Sequence, residues 1–148
     1  MKNDNDDLDS RVMNQKLQSS TFPDDEFLDS DIRIFFDRLL ERMSMKKSDV
    51  IRNANIARTY GYQIFDGTRI ADRDYYLRIA IAMKLDLRTV QRMLAVTRTG
   101  GLHSLIKRDA AIIFAINNGY DNIKTYDFLL RLGLPALEKD EGDNTEDD

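Results

Sequence analysis

Four side chains within a six-residue stretch, Arg58, Thr59, Tyr62 and Gln63, carry the hydrogen-bonding groups that can read the edges of nucleic-acid bases. A guanidinium such as that of Arg58 can pair bidentately with guanine, and an amide such as that of Gln63 with adenine. On a helix these positions are three- and four-residue neighbours or adjacent to them, so one surface can present them together. Two further cations, Lys47 and Arg69, bracket the stretch and could neutralise phosphates, which fixes register and carries no sequence information. The chemistry on offer is recognition, with no covalent step.

Other chemistries have little to work with. The chain has no cysteine, which removes disulfide frameworks and thiolate metal sites and fits a reducing compartment. Its single histidine, His103, cannot build a metal site alone and reads as an ordinary helix-start or surface residue. Carboxylates are plentiful, yet no buried pair, nucleophile-base set or phosphate-cradling glycine loop stands out. No enzyme, cofactor or metal is therefore expected. The longest apolar run, AAIIFAI at residues 110–116, is far short of the roughly twenty residues a membrane span needs. The first residues are polar and acidic with no apolar signal stretch, so the expected location is cytoplasmic.

The elements that would position the polar cluster follow from local signals. In KSDVIRNANIARTYGYQIFDGTR, residues 47–69, a first helical segment over 47–53 carries Val50, Ile51 and Ala54 as its apolar face. The corner falls at Asn55, a residue type that tolerates left-handed backbone. A second segment starts near Ala57 and stops at Gly67. Two short helices meeting at a tight polar turn have the shape of a helix-turn-helix, with the hydrogen-bonding side chains gathered at the start of the second helix.

Periodicity elsewhere is helical almost throughout. Ser30 can cap a helix carrying Ile32, Phe35, Phe36, Leu39, Leu40 and Met43 inward. Asp72 can cap a helix burying Tyr76, Ile79, Ala80 and Met83, and Asp86 one burying Val90, Met93 and Leu94, ended by Gly100-Gly101. A further pair follows, residues 102–117 closed by Asn118-Gly119 and residues 122–132 closed by Gly133 with Pro135 beyond. The apolar residues 110–116 surround most of their helix, which must be covered on more than one side.

The expected organisation is all-α. Residues 1–29 form a disordered or weakly helical acidic arm, 30–100 a helix-turn-helix domain, 101–137 a helical extension packed on it, and 138–148 a disordered acidic tail. Charge supports this division. The whole chain has a formal net charge of −4, but residues 31–137 hold eighteen basic and eleven acidic side chains, a net of +7, so the acidity belongs to the ends.

Residues 34–95 resemble the XRE, or phage repressor/Cro-like, family of five-helix DNA-binding domains. The likeness lies in LLERMSMKKSDVIRNANIARTYGYQIFDGTR followed by YLRIAIAMKLDL, and the whole chain, with LIKRDAAIIFAINNGY and FLLRLGLPAL, is similar to a bacterial branch of that family bearing a C-terminal helical extension. The resemblance implies a five-helix repressor-like fold and a transcriptional regulator reading the major groove of double-stranded DNA. It places the base contacts on Arg58, Thr59 and Gln63 with Tyr62 beside them, and a phosphate contact on Lys47. A homodimer is among the expected states, since this class commonly matches two half-sites one DNA turn apart.

Three positions depart from the family pattern: Phe65 stands for an acidic residue, Ile51 for a small one, and Gly61 for a branched one. A large Ile51 leaning into the space vacated by Gly61 would conserve core volume. The alternative reading is a helical protein-interaction module that keeps such a fold without binding DNA, and it gains weight if Asp66, Asp72 or Asp74 interrupts a face formed by Lys47, Arg58, Arg69 and Arg73.

Overall fold

A computed structural model describes residues 4–23 and 31–138. Among them every regular element is helical: α1 (Asp4–Lys16), α2 (Ile32–Met43), α3 (Lys47–Asn53), α4 (Arg58–Asp66), α5 (Arg73–Ala82), α6 (Leu87–Val96), α7 (Lys107–Asn117) and α8 (Asn122–Arg131). None of these is long and apolar enough to cross a membrane.

Local chemistry sets the helix starts. Asp31 caps α2 by accepting the Ile34 N–H at 3.2 Å, and Asp86 caps α6 by accepting that of Thr89 at 3.0 Å. Ser30, expected to cap α2, lies outside the described residues, and Asp31 holds the cap position. Asp72 occupies the cap position of α5 as expected, but its side chain makes no capping bond.

The helix ends share one device. From α2 to α8 each helix closes on a residue with positive φ, with a six-residue and a four-residue backbone bond together. In α3 the N–H groups of Ile56 and Asn55 reach the carbonyls of Ile51 and Arg52, and Asn55 has φ 59°. Glycine fills this place in α4, α7 and α8, where Gly67, Gly119 and Gly133 stand, whereas Ser44, Asn55, Lys84 and Arg98 fill it in the other four.

Two boundaries depart from the expectations. α6 stops at Val96, with Arg98 at φ 59° taking the place expected of Gly100-Gly101. α7 begins at Lys107 rather than 102, because side chains claim the intervening backbone: Gln91 bonds both the N–H and the carbonyl of Leu102, and Asp109 accepts the His103 N–H at 2.9 Å. The N-terminal stretch, expected as a disordered or weakly helical arm, contains α1, which packs against α6. The tail expected to be disordered lies, from residue 139 onward, outside the described residues.

One continuous core joins the parts. Phe36, Phe65 and Tyr76 meet at its centre, with ring centroids 4.7 Å apart for Phe36–Phe65 and 6.2 Å for Phe36–Tyr76. Burial pushes the Tyr76 phenol above its ordinary pKa, against the opposing effect of the Ala71 N–H, which its oxygen accepts at 3.2 Å. Ile112, Ile113 and Leu129 from α7 and α8 belong to this same core. α8 packs on α5, and α7 on α6 and α8.

Ion pairs fasten the same seam: Arg73 pairs bidentately with Asp109 at 2.7 and 3.2 Å, and Arg108 with Asp74 at 3.0 and 3.1 Å. The extension therefore belongs to the body that carries α3 and α4. Its apolar helix α7 is covered on two sides, leaving Phe114 half exposed against Phe128 and Tyr120.

Candidate nucleic-acid interface

α3 and α4 pack on each other, and Val50 and Ile51 of α3, Ile64 and Phe65 of α4, and Ala54 and Ile56 between them are all buried. Gly61 lies on the buried side of α4 and faces Ile51: a Cβ built on it would stand 2.5 Å from Ile51 Cγ2. The helices can approach this closely only because Gly61 has no side chain, the size exchange with Ile51 expected from the sequence.

With Gly61, Ile64 and Phe65 inward, the helical period turns Thr59, Tyr62, Gln63 and Asp66 toward the other side. Arg58 and Thr59 are exposed at the first turn of α4, whereas Tyr62 and Gln63 are half-buried further along. Thr59, Tyr62 and Gln63 thus share the outer side of one helix, with Arg58 exposed as its first residue. Arg58 and Thr59 are the more accessible pair.

The expected phosphate contacts are held differently. Lys47 Nζ lies 3.3 Å from a carboxylate oxygen of Asp66 and 5.9 Å from the centre of the Tyr62 ring. Asp66 sits four residues beyond Tyr62 on α4, so a single helix face supplies Lys47 with a carboxylate and a ring. Both partners keep contact with water, at 27% and 47% side-chain exposure, so this pair is a modest tie that another anion could displace. Arg69, past the end of α4, stacks on Tyr60 with its guanidinium carbon 5.5 Å from the ring centre. Tyr60 in turn meets the Tyr75 ring edge to face at 5.0 Å.

The face considered from sequence, Lys47, Arg58, Arg69 and Arg73, is not assembled as one patch. Arg73 is turned to Asp109 and the Gly101 carbonyl, and Asp66 partly neutralises Lys47. Asp74 is itself held by Arg108, which removes one of the three interrupting carboxylates. His103 is exposed, its Nδ1 accepting the Leu105 N–H at 3.3 Å. Among the described residues no cluster of His, Asp and Glu is placed to hold a metal ion.

Sequence reasoning missed the residues behind the corner. Arg78, 3% exposed, donates to the Asn55 carbonyl at 3.2 Å, and Asn122 donates to the Asn53 carbonyl at 3.2 Å. The one signal for Arg78 is a charge within the apolar YYLRIAIAM run, a place where an arginine must have partners. Nothing in the sequence points to Asn122. No family model, curated protein or solved structure matches this chain.

Proposed function

We propose that this protein is a sequence-specific double-stranded DNA-binding regulator that inserts α4 into the major groove. The observation that carries the reading is the division of α4 into two faces. Gly61, Ile64 and Phe65 anchor it in the core, while Arg58 and Thr59 stand exposed at its first turn with Tyr62 and Gln63 alongside. The left-handed corner at Asn55 and the resemblance of residues 34–95 to the XRE family support the same reading. In it Lys47 and Arg69 contact phosphates, no metal or cofactor takes part, and a homodimer would address two half-sites.

The test is selection from a randomised duplex pool with the full-length protein at moderate salt. Enrichment of a defined motif is the expected result; a pool that stays random overturns the reading.

A second reading, a protein-interaction module without DNA binding, is favoured by two observations. Asp66 opposes Lys47 on the outer side of α4. Six exposed large apolar side chains, Leu105, Ile106, Phe114, Ile123, Leu130 and Leu132, fall within residues 105–132, on α7, α8 and the residues flanking them, whereas Ile70 is their single counterpart between residues 31 and 101. An unenriched pool leaves this reading standing.

A further inference from the structure

We propose that Asn122 is a positioning residue for α4, fixing the corner between α3 and α4 from behind and so setting the angle at which α4 meets its target. The inference deepens the DNA-reading proposal and rests on it for its binding measurements.

A helix end leaves backbone carbonyls without helical partners. At the end of α3 those of Asn53 and Asn55 flank the corner, and both are engaged by side chains of other helices. The Asn122 amide donates to the Asn53 carbonyl at 3.2 Å and to the Arg78 carbonyl at 3.1 Å. The Arg78 guanidinium donates to the Asn55 carbonyl at 3.2 Å. One amide on α8 thus ties the corner to the α5 residue that holds the corner's other carbonyl.

The start of α8 is itself fixed. The Asp121 carboxylate accepts the Lys124 N–H at 2.8 Å, and its carbonyl accepts the buried Thr125 hydroxyl at 2.8 Å. The opposite branch runs through rings. Arg78 lies over Tyr75 at 4.5 Å, Tyr75 abuts Tyr60 in the first turn of α4, and Tyr60 carries Arg69. Contacts from α5 and α8 therefore reach the corner before α4, its first turn and Arg69 beyond its end.

Such support is needed here. α3 has seven residues and α4 nine, including a glycine, lengths at which helices have little stability of their own. Hydrogen-bonded reading of base edges tolerates errors of only about 0.5 Å and 10–20°. The buried contacts of Val50, Ile51 and Ile56 do not depend on Asn122, so loss of its amide loosens the corner without emptying the core.

The experiment uses full-length Asn122→Asp beside wild type. Aspartate has the same shape without the donating amide, and an acid in the first turn of a helix is favourable, so α8 is retained. Binding is measured to the selected duplex and to random duplex across a salt series, with amide hydrogen exchange followed along the chain. The expected result is about a tenfold loss on the selected duplex, the scale of one or two net hydrogen bonds. In Asn122→Ala, which leaves the net charge as it is, random-duplex affinity and salt slope stay unchanged, because no phosphate contact is touched. Exchange accelerates at residues 55–61 and not in α2 or α6.

A loss shared equally by both duplexes, no loss on the selected duplex, or unaltered exchange at residues 55–61 overturns the proposal. If wild type selects no duplex, the DNA reading has failed on its own, and exchange decides the clamp: local acceleration supports it and unaltered exchange ends it. Asn122→Ala serves as a second variant, for which the same pattern is expected.

Discussion

Ile51 fills the space that a side chain on Gly61 would need: a Cβ there would come within 2.5 Å of Ile51 Cγ2 and 2.9 Å of Cγ1. Two residues ten positions apart thereby set the separation of α3 and α4. Alanine is ordinarily worth about 1 kcal/mol more than glycine inside a helix. Here the clash outweighs that gain, and Gly61→Ala is expected to cost about 1–3 kcal/mol of unfolding free energy. Ile51→Ala should destabilise by itself, yet restore part of the loss in the double variant. Urea titration of the four proteins gives the coupling, and simple additivity would show that the pair acts independently.

Asp66 holds Lys47, so under the proposed DNA reading removal of the carboxylate should release a cation toward DNA. Asp66→Asn is expected to tighten binding to every duplex and steepen the salt slope by about one, whereas Lys47→Ala weakens every duplex and flattens it by about one. The slope of log K against log salt checks both. Unchanged slopes in both variants remove Lys47 from the interface.

Arg58 and Gln63 should fail in another way. Arg58→Ala or Gln63→Ala is expected to cost about 1–3 kcal/mol on the selected duplex and to relax preference at one or two base pairs, with little effect on random DNA. Repeating the pool selection with each variant locates those base pairs. Motifs identical to the wild-type motif would exclude base reading by these residues.

The exposed Arg58 and Thr59, the corner at Asn55 and the stop at Gly67 were legible in the sequence because each is a local matter of residue type and helical period. The Gly61–Ile51 fit was legible too, since size exchange across a packed pair leaves a trace in two residues at once. What escaped depends on distant partners. Lys47 and Asp66 are nineteen positions apart, and Arg73 and Asp109 thirty-six, and no periodicity links either pair. The end of α6 escaped because an arginine took a backbone conformation expected of the glycines that follow it. α1 was expected only as a disordered or weakly helical arm, because its sequence is polar and its packing is against α6.

The buried carboxylate of Asp109 should matter to the whole fold. It is 5% exposed against 24% for Arg73, and it also accepts the His103 N–H. Asp109→Ala leaves a poorly hydrated guanidinium and an unmatched N–H, for an expected cost of roughly 2–4 kcal/mol, below the fully buried case because Arg73 retains some water. Thermal unfolding compared with wild type measures it. A change within about 0.5 kcal/mol, as for ordinary surface sites, would mean that the pair does not hold α7 to α5.

The cap of α6 should make stability depend on acid. The Thr89 hydroxyl and then its N–H hold the Asp86 carboxyl below its ordinary pKa. A lowered folded value means that the contribution is complete above the unfolded pKa, near 4, and is lost as pH falls through the folded one. Asp86→Ala is expected to cost about 1 kcal/mol at neutral pH and progressively less below about pH 4. Unfolding midpoints of both proteins over that range check it, and a gap that persists undiminished in acid would assign the cost to something other than the charged cap.

Four helices finish on Ser44, Asn55, Lys84 and Arg98 in a backbone conformation that disfavours side chains branched at Cβ. Three of these residues are exposed, so a map of mutational tolerance drawn from solvent access would mark them as freely replaceable. The backbone reverses that expectation. In a saturation library selected for folding, glycine and asparagine should be enriched at these places, valine, isoleucine and threonine depleted, and proline absent. The chain thus carries a second pattern of constraint on its surface, written in torsion angles, beside the pattern of buried apolar residues that specifies its interior.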